Sequence, residues 1–219
     1  MSLEKVVANL AQQMESRVFG KYRGFVVDNA DPEKRGRLKI KVPSVLGDET
    51  VTGWAMPCVP YGGDANQGFL FIPEVDAGVW VEFEEGNLEL PIWVGTFWSA
   101  PGRVSELPKP NDAEGAEESD IQGPPTRKII KTLKGHTIQF EDKDGEEMVT
   151  VVEAQNKNVI TMNKDGIKVT DGVNGQEVVL DVDGVMIQSN KDIVLKASGD
   201  ITMESVNVKV TVSGSMDVS

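Results

Sequence analysis

The chain has 219 residues and a net charge of −13, shared as about −5 over residues 1–107, −4 over 108–125 and −4 over 126–219. Acidity spread this evenly disfavours binding a phosphate backbone, which needs clustered Lys and Arg, and disfavours resting on an anionic membrane. One cysteine excludes an intrachain disulfide, and one histidine excludes a multi-histidine metal site or a two-histidine acid–base pair within one chain.

Residues 3–16 read as an amphipathic helix. Leu3, Val6, Val7, Leu10 and Met14 follow helical spacing and Ser2 stands as its N-cap, giving either a self-packing helix or an arm for a partner. The first twenty residues carry Glu4, Lys5, Glu15 and Arg17 instead of the apolar run of a signal peptide. From Tyr22 the pattern changes to strands, predicted over 22–29, 37–42, 50–59, 78–83 and 90–97. In the second, Leu38, Ile40 and Val42 alternate with Arg37, Lys39 and Lys41, which predicts a basic outer face that faces a nucleic acid or, in better accord with the acidic balance, is solvated or meets the acidic run at 82–85. Five short strands without an intervening long helix fit a small closed barrel such as an OB-fold over residues 19–100. Cys58 is expected to be a small buried apolar residue.

Residues 101–126 are rich in Pro, Gly and acidic side chains and read as a linker. Beyond them, strands are predicted at 128–133, 137–141, 148–153, 159–162, 166–169 and 177–182, each closed by a turn. Twelve of the thirteen aromatic residues lie between Phe19 and Trp98, and only Phe140 follows. The C-terminal half therefore has only aliphatic side chains and Met for a core, which suits a narrow, repetitive interior.

At the end the spacing becomes regular. Val185/Ile187, Ile193/Leu195 and Ile201/Met203 repeat every eight residues; after one step a residue short, Val208/Val210 and Met216/Val218 resume the interval. Each pair has the spacing that places two side chains on one face of a strand, and polar or small residues lie between pairs. Short strands separated by corners predict a winding of the β-helix or prism type. Its side chains are too small to bury a core alone, so these ten residues are the candidate interface with other chains.

Catalytic signals are weak. His136 sits at a Gly-His turn and reads as a structural, hydrogen-bonding side chain. The paired acids Glu84/Glu85, Glu117/Glu118 and Glu146/Glu147 lie in predicted turns or the linker, where solvated charge is the ordinary state. Asp142/Asp144 and Asp181/Asp183 lack the rest of a calcium ligand set. No catalytic, cofactor or metal residue is expected, and the chain is expected not to be an enzyme.

GFLFIPEVDAGVWVEFEEG (68–86), followed by LPIWVGTFW (90–98), resembles the OB-fold core of baseplate assembly protein V, the central spike family of contractile phage tails and type VI secretion. Pro73, Val75, Gly78, Val79 to Phe83, Gly86, Pro91 and Gly95 carry the likeness, and IIKTLKGHTIQFED (129–142) resembles the passage from barrel to needle in that family. The resemblance implies a mainly β chain: an N-terminal arm (1–18), a barrel (19–100), a linker (101–126) and an intertwined trimeric β-prism (127–219). It implies a homotrimer of the virion or of an assembled injection particle, attached to a baseplate hub and tail tube. Contact with the target membrane would be transient, and no nucleic acid would be bound. The linker leaves no room for a lysozyme domain, and the absence of a His-x-His tip implies a separate capping protein near Ser219. Two alternatives stand beside this: a spike of an extracellular injection system or tailocin, and an OB module for nucleic acid or carbohydrate with an oligomerising β tail.

Overall fold

A computed structural model describes residues 17–214 and residue 216; the predicted N-terminal helix and Val218 lie outside the described residues. The chain divides into two compact units, Met1–Leu107 and Pro108–Ser219.

In the first unit, β1 (Tyr22–Asp28), β2 (Lys39–Lys41), β3 (Met56–Pro57), β4 (Gly78–Phe83) and β5 (Pro91–Thr96) form one sheet in the order β2-β1-β4-β5-β3. Antiparallel bridges Leu38↔Ala55 and Lys41↔Val51 join the two ends and curl the sheet into a barrel. A four-residue helix, α1 (Pro43–Leu46), follows β2. Alternation decides what faces inward: Val79, Val81 and Phe83 of β4 join Val26, Leu38, Ile40, Val42, Ala55 and Trp93 in the core. The β1–β2 crossing is so close that Gly24 has no room for a side chain: a Cβ there would lie 2.5 Å from Ile40 Cγ2 and 3.0 Å from both Lys41 O and Val81 Cγ2.

Three expectations change here. The third strand, predicted over 50–59, forms a ladder only at Met56–Pro57, with isolated bridges at Val51 and Ala55 on either side of Gly53. Cys58 is exposed instead of buried: it stands two residues from Met56 and shares that residue's outward face, while its amide donates to Trp93 O at 2.8 Å. The basic face of the second strand is not simply solvated and does not meet the 82–85 acids. Arg37 is buried against Asp31, its Nη2 2.6 Å from Oδ1, and Arg37 and Lys39 both lie against the Trp54 ring. Asp31 also accepts the amides of Glu33, Arg35 and Arg37, which folds the Asp-Pro-Glu-Lys-Arg-Gly turn around one carboxylate.

In the second unit, seven strands form an antiparallel meander in sequence order. They are β6 (Arg127–Lys131), β7 (Thr137–Glu141), β8 (Met148–Glu153), β9 (Asn158–Asn163), β10 (Gly166–Asp171), β11 (Gln176–Asp181) and β12 (Gly184–Gln188). Residues 189–214, where the eight-residue repeat predicts further strands, contain none and join no strand ladder among the described residues, although Asn190 Nδ2 donates to Asn174 O at 2.8 Å. Short strands wound every eight residues need neighbouring backbone on both sides, and within a single chain only β12 adjoins them.

The stretch read as a linker is divided. Residues 101–107 belong to the first unit and residues 108–126 to the second, where 108–122 form a strap over one face of the meander. The strap turns back on itself through the bridge Asn111↔Glu117 and the left-handed Gly115 (φ 83°), whose Cβ position would fall 2.5 Å from Val159 Cγ2.

Candidate assembly surface

The two faces of the meander differ in chemistry. Under the strap lie Thr137, Gln139, Glu141, Thr150, Val152, Val159 and Thr161, all buried. The opposite face carries two unbroken cross-strand rows. Ile130, Ile138, Val151, Ile160, Val169, Val178 and Ile187 stand directly opposite one another from β6 to β12, and Lys128, Phe140, Val149, Met162, Ile167, Leu180 and Val185 form the second row. Only Lys128 is polar, and it pairs with Asp142 at the rim. Most of this face is open: Phe140 is 44 % exposed, Ile160 39 % and Ile187 59 %. An acidic chain that displays apolar side chains across seven strands has a surface made to be covered.

Sequence reasoning placed the interface at ten residues from Val185 onward. The structure sets Val185 and Ile187 at the end of these two rows, so they continue a face that begins at Ile130. Ile193, Leu195, Ile201, Met203, Val208, Val210 and Met216 follow in the strandless segment, each more than half exposed. The eleven apolar positions from Ile130 to Leu180 were missed, although alternation was plain in strands such as Thr137–Glu141; the eight-residue repeat drew attention to the tail instead.

The strap face is held by polar groups. Gln139 and the Asn111 backbone exchange two hydrogen bonds, at 2.9 and 2.8 Å, and Thr161 Oγ1 donates to Ala113 O at 2.7 Å. Lys131 Nζ donates to Lys109 O and Glu117, both at 2.8 Å. Arg127 joins Glu118 (2.5 Å) and Glu141 (2.6 Å). Burial alone would raise the Glu141 pKa, but hydrogen bonds from Thr126, Arg127, the Lys143 amide and Gln122 hold it down to about 2. The Lys131 hydrogen bond lowers Glu117, and the Arg37 hydrogen bond holds Asp31 far below the ordinary carboxylate range.

Glu141, Glu117 and Asp31 each have a folded-state pKa below the unfolded value. Their stabilisation is therefore complete above roughly pH 4.5 and is lost as pH falls through the folded values. Thermal melts are expected to be flat from pH 8 to 5 and to fall steadily from pH 4.5 to 2; a melting temperature constant down to pH 2 would contradict the assignment of these pairs.

The candidate catalytic groups do not converge. Glu117, Glu118 and Glu146 are spent on Lys131, Arg127 and Lys143. His136 is half-exposed and accepts the Ala154 amide through Nδ1 at 3.3 Å, the structural role expected of it. Asp142 pairs with Lys128, and Asp181 accepts the Asp183 amide in the turn before β12. Among the described residues no three His, Cys, Asp or Glu side chains are grouped to hold a metal ion, and no helix is long and apolar enough to cross a membrane.

The barrel has its own open surface. Arg23 lies against Trp80 and Phe97, Phe25 packs edge-on to Phe97, and a loop exposes Tyr61, Phe69, Leu70 and Phe71. Residues 22–98, the span of this curled sheet, match the family model of the type VI secretion system/phage-baseplate injector OB domain. The barrel belongs to that family. The injector OB domain makes the chain a phage-baseplate or type VI secretion injector component, with other baseplate components as its neighbours. No curated protein matches the chain.

Proposed function

We propose that this injector component is the central spike, a non-enzymatic homotrimer attached through its barrel to a hub and tail tube and driven through a cell envelope when the sheath contracts. The observation that carries the reading is the doubled apolar row on β6–β12. On an OB injector chain, an apolar face seven strands long, with a strap covering part of its reverse, suits three sheets meeting about a common axis. Each face residue already loses part of its surface to strand neighbours, and covering the remainder stabilises by about 1 kcal/mol apiece. Repeated in every layer and every chain, that makes a stiff rod. Residues 189–214 then wind with their two counterparts and gain the neighbours a single chain lacks.

Light scattering on the purified chain is expected to give three times the 23.8 kDa chain mass. Electron microscopy of assembled particles is expected to place the chain on the baseplate axis, distal to the tube. A stable monomer, or density only at the baseplate periphery, would overturn the reading.

A further inference from the structure

Force that reaches the meander from the barrel enters along residues 99–108, and the first strand it would meet is β6. That strand is five residues long, lies at the edge of the sheet and is hydrogen-bonded to β7 alone. An edge strand pulled from its end peels, breaking its ladder one bond at a time. The strap changes the point of attachment. Before the chain reaches β6, residues 108–122 are tied to three strands: to β6 through Lys131 and Arg127, to β7 through Gln139, and to β9 through Thr161. Gly115 lies over Val152 of β8 and Val159 of β9 with no space between them for a side chain.

These ties share a character that suits holding more than recognition. Gln139 is fully buried and Asn111 is 3 % exposed, so their paired hydrogen bonds are shielded from competing water. The Lys131 side chain is 10 % exposed and that of Arg127 is 14 %, so both cations are largely withdrawn from water while Glu117 and Glu118 reach them from the solvent side. A tether meant only to span a gap needs none of this.

We infer that the strap is a mechanical anchor: it spreads load entering at Pro108 over β6, β7 and β9 at once, and so protects the edge strand from peeling. Attachments loaded together must fail together, which raises the rupture force above that of a ladder opened bond by bond. The spike reading supplies the load, but the geometry of the anchor stands without it.

The test is tweezers pulling on particles carrying one tagged chain. Its handles attach through Val104→Cys and Val182→Cys in a Cys58→Ser background. The unmodified strap is expected to hold until the sheet itself ruptures. In E117Q/E118Q/T161V, which keeps every sheet hydrogen bond, the strap is expected to leave first. That separate low-force step should add about 6 nm of contour length for residues 108–126. In the same variant, amide exchange over residues 109–116 is expected to accelerate roughly tenfold or more, with exchange in β8 and β9 unchanged, which shows that the sheet remains folded. A rupture pattern identical in both proteins overturns the inference, and so does a parent chain that releases residues 108–131 in one low-force step. A monomeric mass would sink the spike reading while leaving these force signatures intact.

Discussion

An Ile160→Asp, Val169→Asp double variant is expected to reduce the particle from three chains to one while leaving the chain folded. The two side chains stand opposite each other across β9 and β10, in the middle of the seven-residue row, and both are 39 % exposed. In the isolated chain a carboxylate at either place still reaches water, so the local cost is the lost packing, about 1–2 kcal/mol for each. In the assembly both would be desolvated without a partner, which costs several kcal/mol per charge, and six of them would repel one another around a common axis. That penalty exceeds what the rest of the face regains. Scattering should therefore read a single-chain mass, with the far-ultraviolet strand signal retained. Lys168→Ala is the control. Lys168 lies between Ile167 and Val169 on the opposite face, paired with Glu177, and its loss should leave the mass unchanged. A variant particle that keeps three chains would show that this face is covered by something else.

Strand positions were legible because alternation is local. β7 and β8 begin and end where the pattern Thr-Ile-Gln-Phe-Glu and the run from Met148 to Glu153 place them. The barrel strands were found for the same reason, apart from the third, whose pairing is split into two isolated bridges and a two-residue ladder. What escaped depends on partners distant in sequence. Asn111 and Gln139 are 28 residues apart, so nothing local distinguishes the strap from the flexible linker its Pro, Gly and acids suggest. Asp31 likewise reads as a turn former, and only the fold shows that one carboxylate gathers three amides and a guanidinium. The apolar face was legible strand by strand yet not as a surface, because rows such as Ile160 with Val169 appear only when register is known. The tail is the converse case: its repeat was plain, but a repeat alone does not say what its strands pair with.

Gly24→Val is expected to abolish the fold of the barrel while sparing the meander. Gly24 lies in β1 where that strand is paired on both sides, to β2 through Phe25↔Lys41 and Val26↔Ile40 and to β4 through Gly24↔Val79. A Cβ would meet Ile40 and Val81, two fully buried core residues, and the Lys41 carbonyl. Side chains at the surface can swing aside, but these cannot move without displacing Leu38, Val42 or Val79, and the carbonyl is fixed by the ladder. Overpacking a filled core typically costs 1–3 kcal/mol, and a branched side chain pressed against backbone belongs at or above the upper end. A barrel of this size has about 5–10 kcal/mol in all, so the loss is a large fraction of it. Calorimetry of the parent chain should show two transitions, one for each compact unit, and in the variant the barrel's should fall by more than 10 °C or vanish. Because the strap and the apolar rows lie wholly in the second unit, the meander should melt where it did before and the chains should remain associated. If both transitions fell together, or association were lost, the barrel would be holding the trimer, and the assembly surface would have to include Phe25, Trp80 and Phe97.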